Sequence, residues 1–118
     1  MLLTRGMGKW GWKVQEGQGA IETMILALND PPDAIVVDSR LPAGTGYVIL
    51  RRLKRSEKTR SIPVLVLTEA GDKHAARRAR RMGAHDAVPR PVEPAELHRR
   101  LCRALEDPTS EASEAGAS

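Results

Sequence analysis

Phenylalanine is absent from this chain, and aromatic residues make up only 3% of it. Proteins that grip single-stranded nucleic acid stack bases on aromatic rings, so material for such a platform is scarce. Cysteine occurs once, as Cys102, which excludes an intrachain disulfide. Between Leu101 and Arg103 in a helical pattern it reads as a small packing residue, and the composition suits a cytoplasmic protein. No apolar run approaches the ~20 residues that cross a bilayer. The opening Met1-Leu2-Leu3-Thr4-Arg5 lacks the long apolar stretch of a secretory signal. No aspartate or glutamate occurs before Glu16.

What is present fits one domain with one core: 118 residues, 41% hydrophobic and 29% charged. The net charge of +4 is concentrated in two clusters. Arg51, Arg52, Lys54, Arg55, Lys58 and Arg60 form one, and Lys73, Arg77, Arg78, Arg80 and Arg81 the other. Such clusters suit an acidic partner or nucleic acid. The plainer reading, two solvated helix faces, is preferred.

Hydrophobic spacing divides the chain. Trp12 to Glu16 alternates as a short strand, broken by Gly17-Gln18-Gly19. Ile21, Met24, Ile25 and Leu28 stand at i, i+3, i+4 and i+7, one face of a helix, which Asn29-Asp30-Pro31-Pro32 stops. Ala34 to Asp38 is a buried strand. Leu41 to Gly46 is a loop, and Tyr47 to Lys54 a helix with Ile49, Leu50 and Leu53 inward and its basic residues outward. Ile62 to Thr68 is a second apolar strand, with Pro63 near its start. Asp72 suits the N-cap of a helix whose buried stripe is Ala75, Ala79 and Met82, and Gly83 ends it. Asp86 to Pro91 holds a short strand. Pro94 opens a last helix with Leu97, Leu101, Ala104 and Leu105 inward. Residues 1–107 form the domain, and the Ser-, Ala-, Glu- and Gly-rich residues 108–118 are expected to be a disordered tail.

Alternating strands and helices with unalternating central strands predict an α/β fold: a parallel sheet covered by helices on both faces. Asp38, Thr68 and Arg90 then fall at the carboxyl ends of successive strands, the rim where such sheets carry their sites. An enzyme is not expected. There is no nucleophile–base pair, metal-ligand cluster or Gly-rich phosphate loop, and His74, His85 and His98 are scattered.

In order and spacing, the sequence resembles the response-regulator receiver domain of two-component signalling. The matching text is Asp38, Leu41-Pro42 and Gly46; Pro63 to Thr68; Gly83-Ala84-His85-Asp86; and Arg90-Pro91 before Pro94-Ala95-Glu96-Leu97. The resemblance spans about Trp12 to Leu105. It implies a flavodoxin-like fold of strand order 2-1-3-4-5, with Asp38 as phosphoacceptor and Thr68 and Arg90 sensing the phosphoryl group. It further implies Pro91 in a structural role, at a customary cis peptide. Mg²⁺ would be held by Asp38 and the Arg40 carbonyl, weakly. A histidine kinase or phosphotransfer protein would act upstream and a protein partner downstream, with no part for membrane and none expected for nucleic acid.

Four departures qualify the resemblance. A receiver begins with a strand ending in an acidic pair that holds Mg²⁺, followed by a helix; Met1 to Gly11 cannot contain both. The chain is expected to be shortened at its N-terminus, with residues 1–11 a remnant of the first helix or a stub strand. Arg90 stands for the family's lysine, a larger and differently directed cation. Glu69 adds a carboxylate where a small residue is usual, with only Arg90 to neutralise it. Ala87 replaces the switch aromatic. The expectation is a single-domain receiver in a phosphorelay, acting by protein–protein interaction, with impaired phosphorylation of Asp38. The alternatives are a phosphorylation-independent dimerisation or interaction module, and a small basic nucleic-acid binder using the Arg77 to Arg81 face. Loss of a central strand would also expose the edge of Ile35 to Val37. A folded-back stub, a shifted Trp12 to Gln15, or a second copy of the chain could fill it, and association or marginal stability is expected.

Overall fold

The computed structural model describes residues 2–5, 11–39 and 45–106. In chain order the elements are β1 (Leu2–Arg5), β2 (Trp12–Gln15), α1 (Gly19–Asn29), β3 (Ala34–Asp38), α2 (Thr45–Arg55), β4 (Val64–Thr68), α3 (Ala75–Arg81), β5 (Asp86–Pro89) and α4 (Pro94–Glu106). The strands form one sheet in the order β2-β1-β3-β4-β5. β3, β4 and β5 pair in parallel, with Ile35 opposite Val64 and Leu65 opposite Asp86.

The sheet is mixed where a parallel one was expected, because β1 is antiparallel to both neighbours. The physical reason is the connection. Six residues, 6–11, separate β1 from β2, enough for a hairpin, whereas a parallel neighbour needs a crossover of a dozen or more. β2 therefore runs with β3, β4 and β5, and β1 alone is reversed. Of the two readings of the N-terminus, the helix remnant fails over Leu2–Arg5, which is strand. Leu2 and Leu3 alternate across the sheet into opposite cores and are both buried. A helix turn there would point them together and leave the β3 edge unserved. β1 covers that edge at Ala34 and Ile35. Of the three readings of that edge, the folded-back stub is the one observed, and Trp12–Gln15 lies outside β1, not against β3.

Helices cover the two faces unequally. Ile35, Val37, Val64 and Val66 pack under α1, α2 and α3 through Ala27, Ile49, Leu50, Leu53 and Ala79. Ala34, Val36, Leu65 and Val88 pack under α4 through Leu101 and Ala104, with Leu3 and Trp12 completing that core.

Two local expectations are corrected. α1 buries Thr23 and Ala27, while Ile21, Ile25 and Leu28 face outward. The apolar spacing was real, but the side that packs is the one with small residues, which lets α1 lie close to the sheet and to α2. Asp72 does not cap α3 from the N-cap position, which is His74; its carboxylate instead accepts the His74 N–H at 3.1 Å, ahead of the helix. Arg40, the Leu41 to Gly44 loop and the tail 108–118 lie outside the described residues.

Candidate functional site

The parallel register brings the tips of β3, β4 and β5 to one rim. Asp38 lies opposite Leu67, and Thr68 opposite Pro89. Beyond β5, the Arg90 N–H donates to the Thr68 carbonyl at 2.9 Å, extending the ladder by one rung. That rung sets where the Arg90 side chain begins; the Arg90–Pro91 peptide that follows is cis.

From there the guanidinium reaches across the rim. Its Nη1 donates to Asp38 Oδ1 at 2.5 Å and to the Leu67 carbonyl at 2.9 Å, and its Nη2 donates to Glu69 Oε1 at 2.8 Å. One cation is held between two carboxylates. The arms differ in environment: the Arg90 and Asp38 side chains are 13% and 29% exposed, Glu69 61%. An exposed ion pair contributes at most ~1 kcal/mol. The sheltered, charge-assisted Arg90–Asp38 arm is the stronger one, and its loss would strand a partly buried charge.

Asp38 and Arg90, named from sequence, are thus in direct contact. Thr68 is buried, and its carbonyl accepts the Arg90 N–H. The resemblance had marked Glu69 as an intruder, and the fork shape of arginine is what gives it a partner. Gly46 approaches from α2: a Cβ there would stand 2.6 Å from the Asp38 carbonyl oxygen, so the close pass of backbone on backbone requires glycine. Beside Asp38 a cavity of about 250 Å³ is lined by Val36, Val37 and Ile49 with Thr23 and Glu16. Glu16 follows the tip of β2 and was not foreseen at the site. Its signal, a carboxylate just past a strand running with β3, became readable only once the direction of β2 was known.

Mg²⁺ is the cation that the resemblance implies at this rim. Mg²⁺ needs oxygen ligands and prefers carboxylates free of other cations. Among the described residues no three His, Cys, Asp or Glu side chains gather to hold a metal, and a cation at Asp38 would meet the guanidinium already bound there. β1 is reversed, so its carboxyl end points to the opposite rim. Ala87, at the switch-aromatic position, is buried in the core beneath α3.

The response regulator receiver domain model matches residues 1–102. The phosphate regulon transcriptional regulatory protein PhoB of Escherichia coli K12 is 38% identical over 81 residues, 68% of this chain and 35% of PhoB. The two-component response regulator ORR6 of Oryza sativa subsp. japonica is 32% identical over 89 residues, 75% of this chain and 52% of that protein. The chain therefore spans about a third to a half of the length of these curated relatives. Among solved structures, the receiver domain of sensor histidine kinase PA1611 from Pseudomonas aeruginosa PAO1 has a magnesium ion coordinated in its active site cleft. It superimposes with TM-score 0.72 at 28% identity, covering 83% of this chain and 80% of that one. The signal receiver domain of a histidine kinase from Syntrophus aciditrophicus does so with TM-score 0.70 at 28% identity, covering 81% and 73%.

Proposed function

The chain belongs to the response regulator receiver domain family, and from that premise we propose that it is a phosphorelay receiver whose phosphoacceptor position is closed by an internal ion pair. The observation that carries this reading is the Asp38–Arg90–Glu69 bridge. In phosphoryl transfer a carboxylate oxygen attacks phosphorus as the bond to the donor breaks, and the cost lies in bringing anions together. Asp38 here enters with an oxygen already accepting from Nη1. Glu69 consumes the other side of the same cation and leaves the triad with a net negative charge. An incoming phosphoryl group would have to displace both. Residue by residue, Asp38 stands as a hindered acceptor. Thr68 and Arg90 are the groups a phosphoryl oxygen would contact, and Arg90 is pre-empted. Pro91 serves structurally, holding the turn that starts Arg90 toward the rim.

Such a module signals through contacts, in the cytoplasm, with a histidine kinase or phosphotransfer protein on one side and a downstream protein on the other. The surface of α3, β5 and α4 suits the downstream partner. It is a continuous charged face in which Asp86 pairs with Arg80 and Arg100, and Glu96 with Arg99 and Arg100.

Incubation with acetyl phosphate and Mg²⁺, read by intact-protein mass spectrometry, is expected to leave the chain unmodified. The double variant Arg90→Lys/Glu69→Ala is expected to gain one phosphoryl group at Asp38. Stoichiometric labelling of the unaltered chain would refute the reading.

A further inference from the structure

α1 and α2 lie side by side on the same face of the sheet, and a groove of about 550 Å³ runs along their outer seam. Its floor is apolar: Met24 and Leu28 from α1, Val48 from α2. Its far wall is basic. Val48, Arg51, Arg52 and Arg55 recur at i, i+3, i+4 and i+7, one face of α2, opposite the buried Ile49, Leu50 and Leu53.

The apolar surface does not end at the groove. At ~100° per residue, Met24, Leu28, Ile21 and Ile25 follow one another within about 100° of the α1 circumference. Ile21 is 80% exposed and Ile25 51%. A run of large aliphatic side chains in water beside a groove marks a contact surface more often than a random one.

Several basic residues of the chain are already engaged. Lys54, on the same helix, donates to the Arg60 and Ile62 carbonyls at 3.0 Å and is spent inside the molecule. Arg78, Arg80, Arg99 and Arg100 each have a carboxylate partner. Arg51, Arg52 and Arg55 are exposed, and among the described residues no carboxylate pairs with them.

We infer that this groove docks an acidic amphipathic helix of a partner protein. The apolar face of such a helix, with anchors at i, i+3 or i+4 and i+7, fills a floor of this shape. Its flanking glutamates or aspartates meet the three arginines, whose charge both speeds encounter and fixes orientation. Duplex DNA would satisfy the arginines but lay phosphates against Ile21, Ile25 and Leu28. A bilayer surface is too flat to enter the floor between two helices. The site is remote from the Asp38 rim in its chemistry and does not depend on phosphorylation.

The test uses the full chain and a fluorescein-labelled helical peptide with leucines at i, i+3, i+4 and i+7 and glutamates elsewhere, followed by anisotropy. Saturable binding tighter than ~1 mM is expected. It should weaken about tenfold in Arg51→Glu/Arg52→Glu and in Leu28→Glu, and with a peptide of the same composition in scrambled order. The arginine variant alters only exposed side chains, so an unchanged melt separates lost docking from lost folding. Four results would overturn the inference: no saturable binding, equal affinity for the scrambled peptide, full retention in the arginine variant, or tighter binding to phosphatidylserine vesicles or duplex DNA than to the peptide.

Discussion

Arg90 and Lys54 belong to an arginine-rich, basic chain, and each leaves the solvated surface for an internal duty. Arg90 was legible at the rim because it follows a strand that runs parallel to the one Asp38 ends, with only β4 between them. Lys54 was not, because its acceptors are carbonyls six and eight residues away that only the turn between α2 and β4 brings within reach. Thr59 escaped notice for the same reason: it is fully buried, and its hydroxyl donates to the Leu53 carbonyl at 2.6 Å near the end of α2. Glu96 shows a residue-scale effect that can be measured. Hydrogen bonds from Arg99 and then Arg100 hold its carboxyl at about 2, against an ordinary 4.5. A carboxyl lowered on folding contributes stability above its unfolded value and loses that contribution as pH falls through the folded one. The ion pairs of Glu96 are therefore expected to persist at pH 4.5 and vanish toward pH 2. A carbon-detected NMR titration should place the Glu96 midpoint well below the ordinary 4.5, and Arg99→Ala/Arg100→Ala should return it to the ordinary range. An ordinary midpoint in the unaltered chain would contradict this.

At the scale of elements, β1 matters most for its length. Four residues pair with β2 along their whole run but with β3 only at Leu2 and Leu3. Among the described residues β2 has no other strand neighbour; Trp12 also ties it to α4, packing in that core and donating its Nε1–H to His98 Nδ1 at 2.9 Å. Leu3→Ala removes buried methyls from the α4 core, a change that costs about 2–5 kcal/mol in comparable cores. Because short edge elements open first, amide exchange in Trp12–Gln15 is expected to accelerate more than exchange in Val64–Thr68. Equal acceleration of both strands would show that β1 and β2 do not open as a unit. The spans of β2, β3, β4 and α4 could be read from hydrophobic spacing and from Pro and Gly punctuation. The strand state of Leu2–Arg5 remained one of two readings, since four residues carry too little periodicity to separate helix from strand.

For the molecule as a whole, one sheet divides two cores, and Ile35 stands at the middle of it. It is fully buried, flanked by Leu2 of β1 and Val64 of β4. Truncation at such a site costs about 2–5 kcal/mol, a large share of the ~5–15 kcal/mol that a domain of this kind has in total. Ile35→Ala is expected to lower the urea midpoint steeply while the transition stays single by both fluorescence and circular dichroism. Two separated transitions would instead mean that the cores under α2 and α4 unfold independently.

The sequence by itself determined the α/β alternation, the apolar central strands, and the gathering of Asp38, Thr68 and Arg90 at one rim. Parallel strands of known end residues leave little freedom there. Only the tertiary structure decided that β1 runs backward, that the outward side of α1 carries Ile21, Ile25 and Leu28, and that one guanidinium joins Asp38 to Glu69. Spacing reports that a segment has an apolar side. It does not report which neighbour that side meets, in which direction a short strand is laid, or how far a side chain reaches, because those are settled by contacts between residues distant in the chain.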